Sequence, residues 1–302
     1  MILPQNHPEL LSGNSFMRNN SLLLILTVIF LLIFTIKAET KEISKNNQTP
    51  SLLSAFFGLD NALPFRAIRV CLGAWRKDGM PVIMSHTLNA ETLQREDFKV
   101  IRKSGVSTFP ACVTLRPAQD EGENRTVLLI GDFGNADEDP PVKVEVVGDL
   151  MSDILTDKPI NFRGTDVEVI PLHAGPTLIL AEILSSEVWV KPKIRSTCPN
   201  NTKQVLRVTW TGGVRLPTGE EVSNNDKDLY RITVIGANGI NKVITPASIA
   251  DLNDNDNNHH LCLDTDMEPI NVSFPEGYLI DPNQDLNPAT QIDVINKNAL
   301  GY

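Results

Sequence analysis

Short runs in which apolar residues alternate with polar ones recur through most of this chain. Val142, Val144 and Val146 alternate with Lys143 and Glu145 in one clear example. A period of two places successive side chains on opposite faces of a strand, so these runs predict half-buried β-strands. Turn residues separate the runs, and alternating strand–helix units are missing from the sequence, which predicts an all-β fold of antiparallel sandwiches. The predicted strands include 68–72, 98–101, 112–115, 126–130, 142–146, 160–162, 167–169, 177–183, 206–210 and 230–234.

An apolar segment of 15 uncharged residues, Leu22–Ile36, precedes all of these strands. A membrane-spanning helix needs about 20 apolar residues, whereas the apolar core of a signal peptide needs about 7–15. The length therefore favours a signal peptide, and Ala38 supplies a small residue for cleavage. An uncleaved anchor is the alternative, because Lys37 and Lys41 follow the segment and leave its orientation unspecified. The sequence thus predicts a secreted or membrane-anchored extracytoplasmic protein, with this segment as its membrane contact.

Changes in composition predict the domain organisation. A polar stretch that contains prolines runs from Lys191 to Thr202 and has the character of a linker. Beyond it, Asn238-Gly239 predicts a hairpin with a type I′ turn. The predicted organisation is a signal peptide or anchor at 1–38, a linker and packing segment at 39–65, and two tandem antiparallel β-sandwich domains at 66–190 and 191–302.

Four cysteines follow the export segment, two in each predicted domain. An even count in an oxidising compartment favours disulfides, and four cysteines allow three connectivities. The expected pairs are Cys71–Cys112 and Cys198–Cys262, one in each domain, and four reduced thiols are the alternative. In such a compartment, Asn-x-Ser/Thr motifs also predict glycosylation at Asn47, Asn124, Asn200 and Asn271.

The segment from Leu88 to Ile130 resembles a known class of repeat. Its features are Leu88, Leu93, Asp97-Phe98-Lys99-Val100, Gly105, Cys112-Val-Thr-Leu-Arg-Pro117 and Thr126-Val-Leu-Leu-Ile130. This order is similar to the Leu-rich turn, Phe-x-Val strand, Gly hairpin and Val-x-Leu-x-Pro strand of immunoglobulin-like repeats in secreted and cell-surface proteins. The resemblance covers about sixty residues and implies an immunoglobulin-like sandwich that acts as a spacer or adhesion module, with no catalytic residues.

The chain carries a net charge of −10, which argues against nucleic acid or an anionic membrane as a partner. Its densest polar run extends from Asp251 to Asp266. Asp and Asn side chains supply the oxygen ligands that Ca²⁺ prefers, although the run lacks the Gly and the closing Glu of an EF-hand. Ca²⁺ is thus the candidate cofactor, and a solvated turn segment is the alternative. The candidate ligands are Asp251, Asn253, Asp254, Asn255, Asp256, Asp264 and Asp266.

Histidines and tryptophans are the remaining candidates for binding residues. The adjacent His259 and His260 should point to opposite faces of a strand, so they cannot chelate one metal together in a simple way. Trp189, between two valines, is a candidate ligand platform, whereas Trp210 lies on an apolar strand face and is expected in the core. Signatures of serine hydrolases, zinc proteases and phosphate-binding loops are missing from the sequence, and no catalytic residue is predicted.

These features predict an exported, non-enzymatic β-sandwich protein that serves binding, adhesion or structure at the cell surface. The alternative is a secreted hydrolase or carbohydrate-active protein whose acidic residues converge between the two domains. Convergent carboxylates in a deep pocket would favour that alternative.

Overall fold

The computed structural model describes residues 49–120, 122–153, 159–185, 198–250 and 254–295. Strands and connecting turns dominate these residues, which confirms the all-β prediction. The described residues from Pro50 onward form one compact unit. Within the described residues, no helix has the length and apolar character needed to cross a membrane. The predicted export segment Leu22–Ile36 and the cleavage residue Ala38 lie outside the described residues.

The first eight strands belong to a single sheet with the order β4-β3-β7-β8-β1-β2-β6-β5. The central strands β1 and β8 pair in parallel, and the other neighbours pair antiparallel. The strands are β1 (Leu52–Phe56), β2 (Asp78–Met84), β3 (Phe98–Arg102), β4 (Ser107–Thr108), β5 (Cys112–Thr114), β6 (Thr126–Gly131), β7 (Pro141–Val146) and β8 (Asp166–Ile170).

This sheet folds over its own hydrophobic core. Val82 of β2 and Val127 of β6 belong to the same buried cluster as Val100 of β3 and Val144 of β7. The β2–β6 and β3–β7 pairs lie on opposite sides of β1 and β8 in the strand order, so a shared core requires the two halves of the sheet to face each other. Two facing sheet surfaces with a common core make a β-sandwich.

The remaining strands form two four-stranded sheets, with the orders β13-β14-β10-β9 and β12-β11-β15-β16. All of their neighbouring strands pair antiparallel. The strands are β9 (Leu178–Ile183), β10 (Gln204–Trp210), β11 (Arg231–Ile235), β12 (Asn241–Ile244), β13 (Ser248–Ala250), β14 (Asn258–Leu263), β15 (Glu268–Phe274) and β16 (Thr290–Asp293).

A second core fills the space between these two sheets. Trp210 at the end of β10 is fully buried, and its ring meets Phe274 of β15 edge to face, with 5.1 Å between centroids. The indole N–H of Trp210 donates a hydrogen bond of 3.1 Å to the hydroxyl of Tyr230, so that its polar atom is satisfied in the interior. The prediction that Trp210 is a core residue is confirmed.

The sheet that contains β10 is covered on both faces. Arg207 and Thr209 point away from the second core, yet their exposed fractions are only 3% and 1%. On this side, the side-chain amide of Asn257 donates to the hydroxyl of Thr126 in β6 at 3.1 Å. The eight-stranded sheet therefore packs against the outer face of the β9–β10–β14 sheet.

The predicted division of the chain near residue 190 falls at residues 186–197, which lie outside the described ones. Strand β9, assigned from the sequence to the first domain, is hydrogen-bonded to β10 of the second half. The division into 66–190 and 191–302 stays a prediction.

Both disulfides have the expected connectivity, Cys71–Cys112 and Cys198–Cys262. The predicted hairpin at Asn238-Gly239 also forms, between β11 and β12. A type I′ turn needs a positive φ at both central residues. Of Asn238 and Gly239, only Gly239 has a positive φ (74°), so the turn is not of type I′. The connection is a longer turn closed by the N–H of Gly239 on the carbonyl of Gly236 at 2.8 Å.

The strand predicted at 68–72 is wrong. Pro64 caps a 3₁₀-helix over Phe65–Arg69, and Val70 continues in a helical conformation (φ −100°, ψ −39°). Gly73 then turns the chain with a positive φ of 89°. The alternation of apolar and polar residues there belongs to a compact loop with apolar residues on its outer side.

Candidate interaction surface

Residues 64–76 form a loop within the connection from β1 to β2, and the two ends of this loop lie side by side. We call it the stapled loop. Backbone hydrogen bonds join Leu63 to Arg76 and Lys77, with distances of 3.0 and 3.1 Å. Inside the loop, the N–H groups of Val70 and Cys71 both donate to the carbonyl of Ala67 at 3.0 Å. A loop with adjacent ends and internal hydrogen bonds is compact rather than extended.

The inner side of the stapled loop is anchored to the sheet. The Cys71–Cys112 disulfide ties it to β5. Leu63, Cys71 and Ala74 pack with Ile130 of β6 in a small buried cluster. The loop is thus held at its base by backbone hydrogen bonds and at its middle by a covalent link, which limits its conformational freedom.

The outer side of the same loop is apolar. The exposed fractions are 65% for Phe65, 42% for Val70, 95% for Leu72 and 50% for Trp75. The rings of Phe65 and Trp75 are in edge contact, with 6.0 Å between centroids. Single exposed apolar residues are common on protein surfaces, but four on one rigid loop resemble the anchor residues of an interaction site.

Positive charge accompanies these apolar side chains. Arg66, Arg69 and Arg76 are exposed on the stapled loop. The guanidinium of Arg76 lies over the Trp75 ring, 4.8 Å from its centroid, as in a cation–π contact. The sequence from 61 to 77 contains no Asp or Glu, although the whole chain carries a net charge of −10. The loop is therefore a basic and apolar surface on an acidic protein.

A different cluster of charges is enclosed between the sheets. Glu182 of β9 accepts hydrogen bonds from Arg207 at 2.6 Å and from Arg125 at 3.0 Å, one on each carboxylate oxygen. Beside them, Nε2 of His260 lies 3.4 Å from Oε1 of Glu123. All five side chains are at most 5% exposed. Because the carboxylate of Glu182 bridges arginines from both halves of the chain, this cluster joins the two halves.

An acidic cavity of about 340 Å³ lies near the base of the stapled loop. Among its lining residues, Asp78 accepts backbone N–H groups from Asn61 at 2.8 Å and Phe133 at 2.5 Å. Burial raises the pKa of Asp78, and these two hydrogen bonds act against that rise. Asp132 forms an ion pair of 2.7 Å with Lys77. These carboxylates hold neighbouring loops in place.

A larger cavity of about 620 Å³ lies between the ends of β11, β15 and β16. Arg231, Asp228 and Gln291 supply polar groups, and Tyr278 supplies a ring that is 48% exposed. The lining mixes donors, acceptors and an aromatic face without a concentrated charge.

Of the residues proposed for Ca²⁺, those that the structure describes fall into two groups at opposite ends of β14. Strand β14 separates Asp254 and Asp256 from Asp264 and Asp266, and its six residues span about 20 Å at the rise of an extended strand. Asp256 accepts the backbone N–H of Asn258 at 2.6 Å. Asp266 pairs with Lys203. Within the described residues, no group of three or more His, Cys, Asp or Glu is placed to hold a metal ion.

Asp251 and Asn253 lie outside the described residues, as do Trp189 and Asn47. Calcium binding at the Asp254–Asp256 end of the run, and a platform role for Trp189, stay predictions. Of the other three glycosylation positions, Asn200 is exposed, while Asn124 and Asn271 are half-buried. Glycosylation at these four positions is likewise a prediction.

The two adjacent histidines point to opposite faces of β14, as expected. His259 faces the second core, where its Nδ1 lies 2.6 Å from the hydroxyl of Tyr230. Burial, together with the neighbouring His260, lowers the pKa of His259 to about 4. His260 faces the enclosed charges instead, next to Glu123.

The stapled loop is the feature that the sequence interpretation missed. Its alternation of apolar residues was assigned to the core face of a strand, whereas Val70 and Leu72 are exposed. A signal was present in the sequence, since the loop contains Pro64 and Gly73, and its three arginines have no Asp or Glu near them between positions 61 and 77.

A scan against protein-family models finds no match to this chain, and a search of curated proteins returns no relative.

Proposed function

We propose that this chain is an exported, non-enzymatic binding protein of immunoglobulin-like β-sandwich architecture, which attaches to a ligand at the cell surface through the stapled loop. The proposal is supported by the all-β fold and by two disulfides, which form and persist in oxidising compartments. The resemblance of residues 88–130 to immunoglobulin-like repeats supports the adhesion or spacer role.

The observation that carries the proposal is the exposure of Leu72 and Phe65 on a loop that is otherwise well ordered by hydrogen bonds and a disulfide. Leaving large apolar side chains in water costs free energy, and binding recovers it. A rigid loop loses little conformational entropy when it binds, which favours affinity. Trp and Arg, both present here, are the residue types that most often dominate binding energy at interfaces.

The test compares binding of the labelled protein to intact cells of its native host. Leu72→Ser combined with Trp75→Ser should lower the bound amount by about tenfold or more, as for the loss of central anchor residues. The matched control is Ile240→Ser with Val243→Ser, which removes two apolar side chains of 65% and 59% exposure from the β11–β12 hairpin. Equal binding by the two double variants, with both folded, would contradict a role for the stapled loop.

A secreted hydrolase remains the second candidate, and the acidic cavity favours it, because Asp78, Asp132, Glu138 and Asp139 share its lining. Two carboxylates across a cleft can act as acid and base in glycoside hydrolysis. We prefer the binding role, since Asp78 and Asp139 accept hydrogen bonds from neighbouring loops and Asp132 pairs with Lys77. Hydrolysis of a glycan, ester or peptide substrate that Asp132→Asn abolishes would reverse this preference.

A further inference from the structure

The tip of the stapled loop protrudes into solvent. Leu72 is 95% exposed, and a Cβ added at the next residue, Gly73, would meet no atom within 4 Å. The positive φ of Gly73 (89°) makes the sharp turn that leaves Leu72 at the apex. A protruding aliphatic side chain fits a deformable apolar medium without needing a preformed pocket.

The other exposed side chains of the loop have the composition of a membrane interface. Trp is enriched at the boundary between lipid and water, because its ring is amphipathic. Arg side chains extend their apolar stems along such a boundary while their guanidinium groups reach the head groups. Phe65, Trp75 and Arg76 are in mutual contact here through the Phe65–Trp75 and Trp75–Arg76 pairs.

Local charge favours an anionic lipid surface. Arg66, Arg69 and Arg76 are exposed, and a guanidinium binds phosphate oxygens with two parallel hydrogen bonds. The net charge of −10 for the whole chain acts mainly over distances that salt screens, since the Debye length is about 8 Å at physiological ionic strength. The average charge of the chain disfavours an anionic membrane, whereas the local charge of this loop favours one.

We propose that the stapled loop docks on an anionic lipid bilayer, with Leu72 and Phe65 inserted among the upper acyl chains and Arg66, Arg69 and Arg76 on lipid phosphates. This inference rests on the proposed function, because it names the partner of the same surface. The membrane contact is additional to that of the N-terminal apolar segment.

The test uses the fluorescence of Trp75 in the full chain with Trp189→Phe, reconstituted with vesicles whose lipids are brominated high on the acyl chains. Trp210 is fully buried and should not be quenched. Quenching of Trp75 should occur with phosphatidylglycerol vesicles, weaken with rising salt and be several-fold smaller with phosphatidylcholine alone. Arg66→Gln with Arg69→Gln should lower the quenched fraction several-fold, as should Leu72→Ser, and Ile240→Ser should not.

The other possible results separate a failure of the lipid inference from a failure of the proposed function. Quenching that persists unchanged in Leu72→Ser would show that the N-terminal segment alone brings the body to the vesicle, which overturns the inference. Equal quenching with both lipids would overturn the role of the arginines. Absent quenching, combined with loss of cell binding in the Leu72/Trp75 variant, would leave the proposed function intact and assign the surface to a protein or glycan. Cell binding that is unaffected by that variant would instead remove the proposed function itself.

Discussion

At the scale of single residues, Glu182 balances two arginines in the interior. Its oxygens bind Arg125 and Arg207, so Glu182→Leu leaves both cations buried without their shared partner. Breaking a buried ion pair in this way costs about 3–5 kcal/mol of the free energy of unfolding. Urea denaturation at pH 7 measures the loss directly.

The exposed ion pair between Arg163 and Asp149 provides the control for this experiment, with side chains 58% and 67% exposed. Asp149→Asn should cost less than about 1 kcal/mol, because water screens a surface pair. A similarly small loss for Glu182→Leu would mean that the arginines find other partners and that the cluster does not hold the sheets together.

His259 makes stability depend on pH. Its pKa of about 4 lies below the ordinary value of 6.5, because the buried ring disfavours the charged form. Between these two values the unfolded chain binds a proton that the native state does not, so the free energy of unfolding falls as the pH falls from 6.5 to 4. The total loss from this group is on the order of 2–3 kcal/mol. In His259→Gln, the free energy of unfolding should decline less over this window.

Asp281 has the opposite effect on the pH dependence of the free energy of unfolding, so its contribution must be removed from the comparison. Burial raises its pKa to about 6, so its contribution to the free energy of unfolding increases as the pH falls from 6 toward 3.8. Urea titrations at several pH values should therefore compare His259→Gln with wild type in an Asp281→Asn background. Parallel pH profiles for the two proteins would show that His259 does not titrate abnormally.

At the scale of elements, the stapled loop depends on its disulfide. Cys71 and Cys112 are 41 residues apart. Removing this cross-link gives the unfolded chain more conformational freedom, which lowers the free energy of unfolding by about 4 kcal/mol. Cys71→Ser with Cys112→Ser should lower the free energy of unfolding and also make the loop cleavable by trypsin after its arginines. Mass spectrometry of limited digests locates these cuts.

The second disulfide supplies a matched comparison. Cys198 and Cys262 are 64 residues apart, so the entropic effect on overall stability should be of similar size. Cys198→Ser with Cys262→Ser should nevertheless leave the stapled loop resistant to trypsin under native conditions. Equal cleavage at Arg66, Arg69 and Arg76 in both double variants would indicate general unfolding and not release of the loop.

An element could be predicted from the sequence where the alternation of apolar and polar residues reflects burial of one strand face. It could not be predicted where the same alternation arises for another reason. Val144 and Val146 alternate with Lys143 and Glu145 because one side of the strand faces the core, and β7 forms there as predicted. The same alternation at Ile68–Leu72 arises in a loop where a cysteine, and not Val70 or Leu72, faces inward. Periodicity cannot distinguish these cases, because it records spacing and not the side on which the core lies.

At the scale of the whole molecule, the enclosed charges could not be predicted from the sequence, because they come together only in the folded protein. Arg125 lies in the turn before β6 and Glu182 lies in β9, 57 positions away, and each looks like an ordinary surface residue in the sequence. Only the packing of β9 and β10 against the first sheet brings them together. The cysteine pairing could be inferred, because two predicted domains with two cysteines each leave one simple arrangement.

The same packing predicts that the two halves of the chain unfold together. The side-chain amide of Asn257 in the second half donates a hydrogen bond to Thr126 in the first half, and Glu182 bridges arginines from both halves. Buried polar groups that lose their partners are costly, so neither half can open alone without exposing or orphaning these charges. We expect hydrogen exchange in increasing urea to give one midpoint for peptides from β2 and β6 and for peptides from β10 and β15. The Glu182→Leu variant should separate the two sets of midpoints, because it removes the strongest link. Two distinct midpoints in the wild-type protein would instead establish independent domains, with a boundary near residue 190.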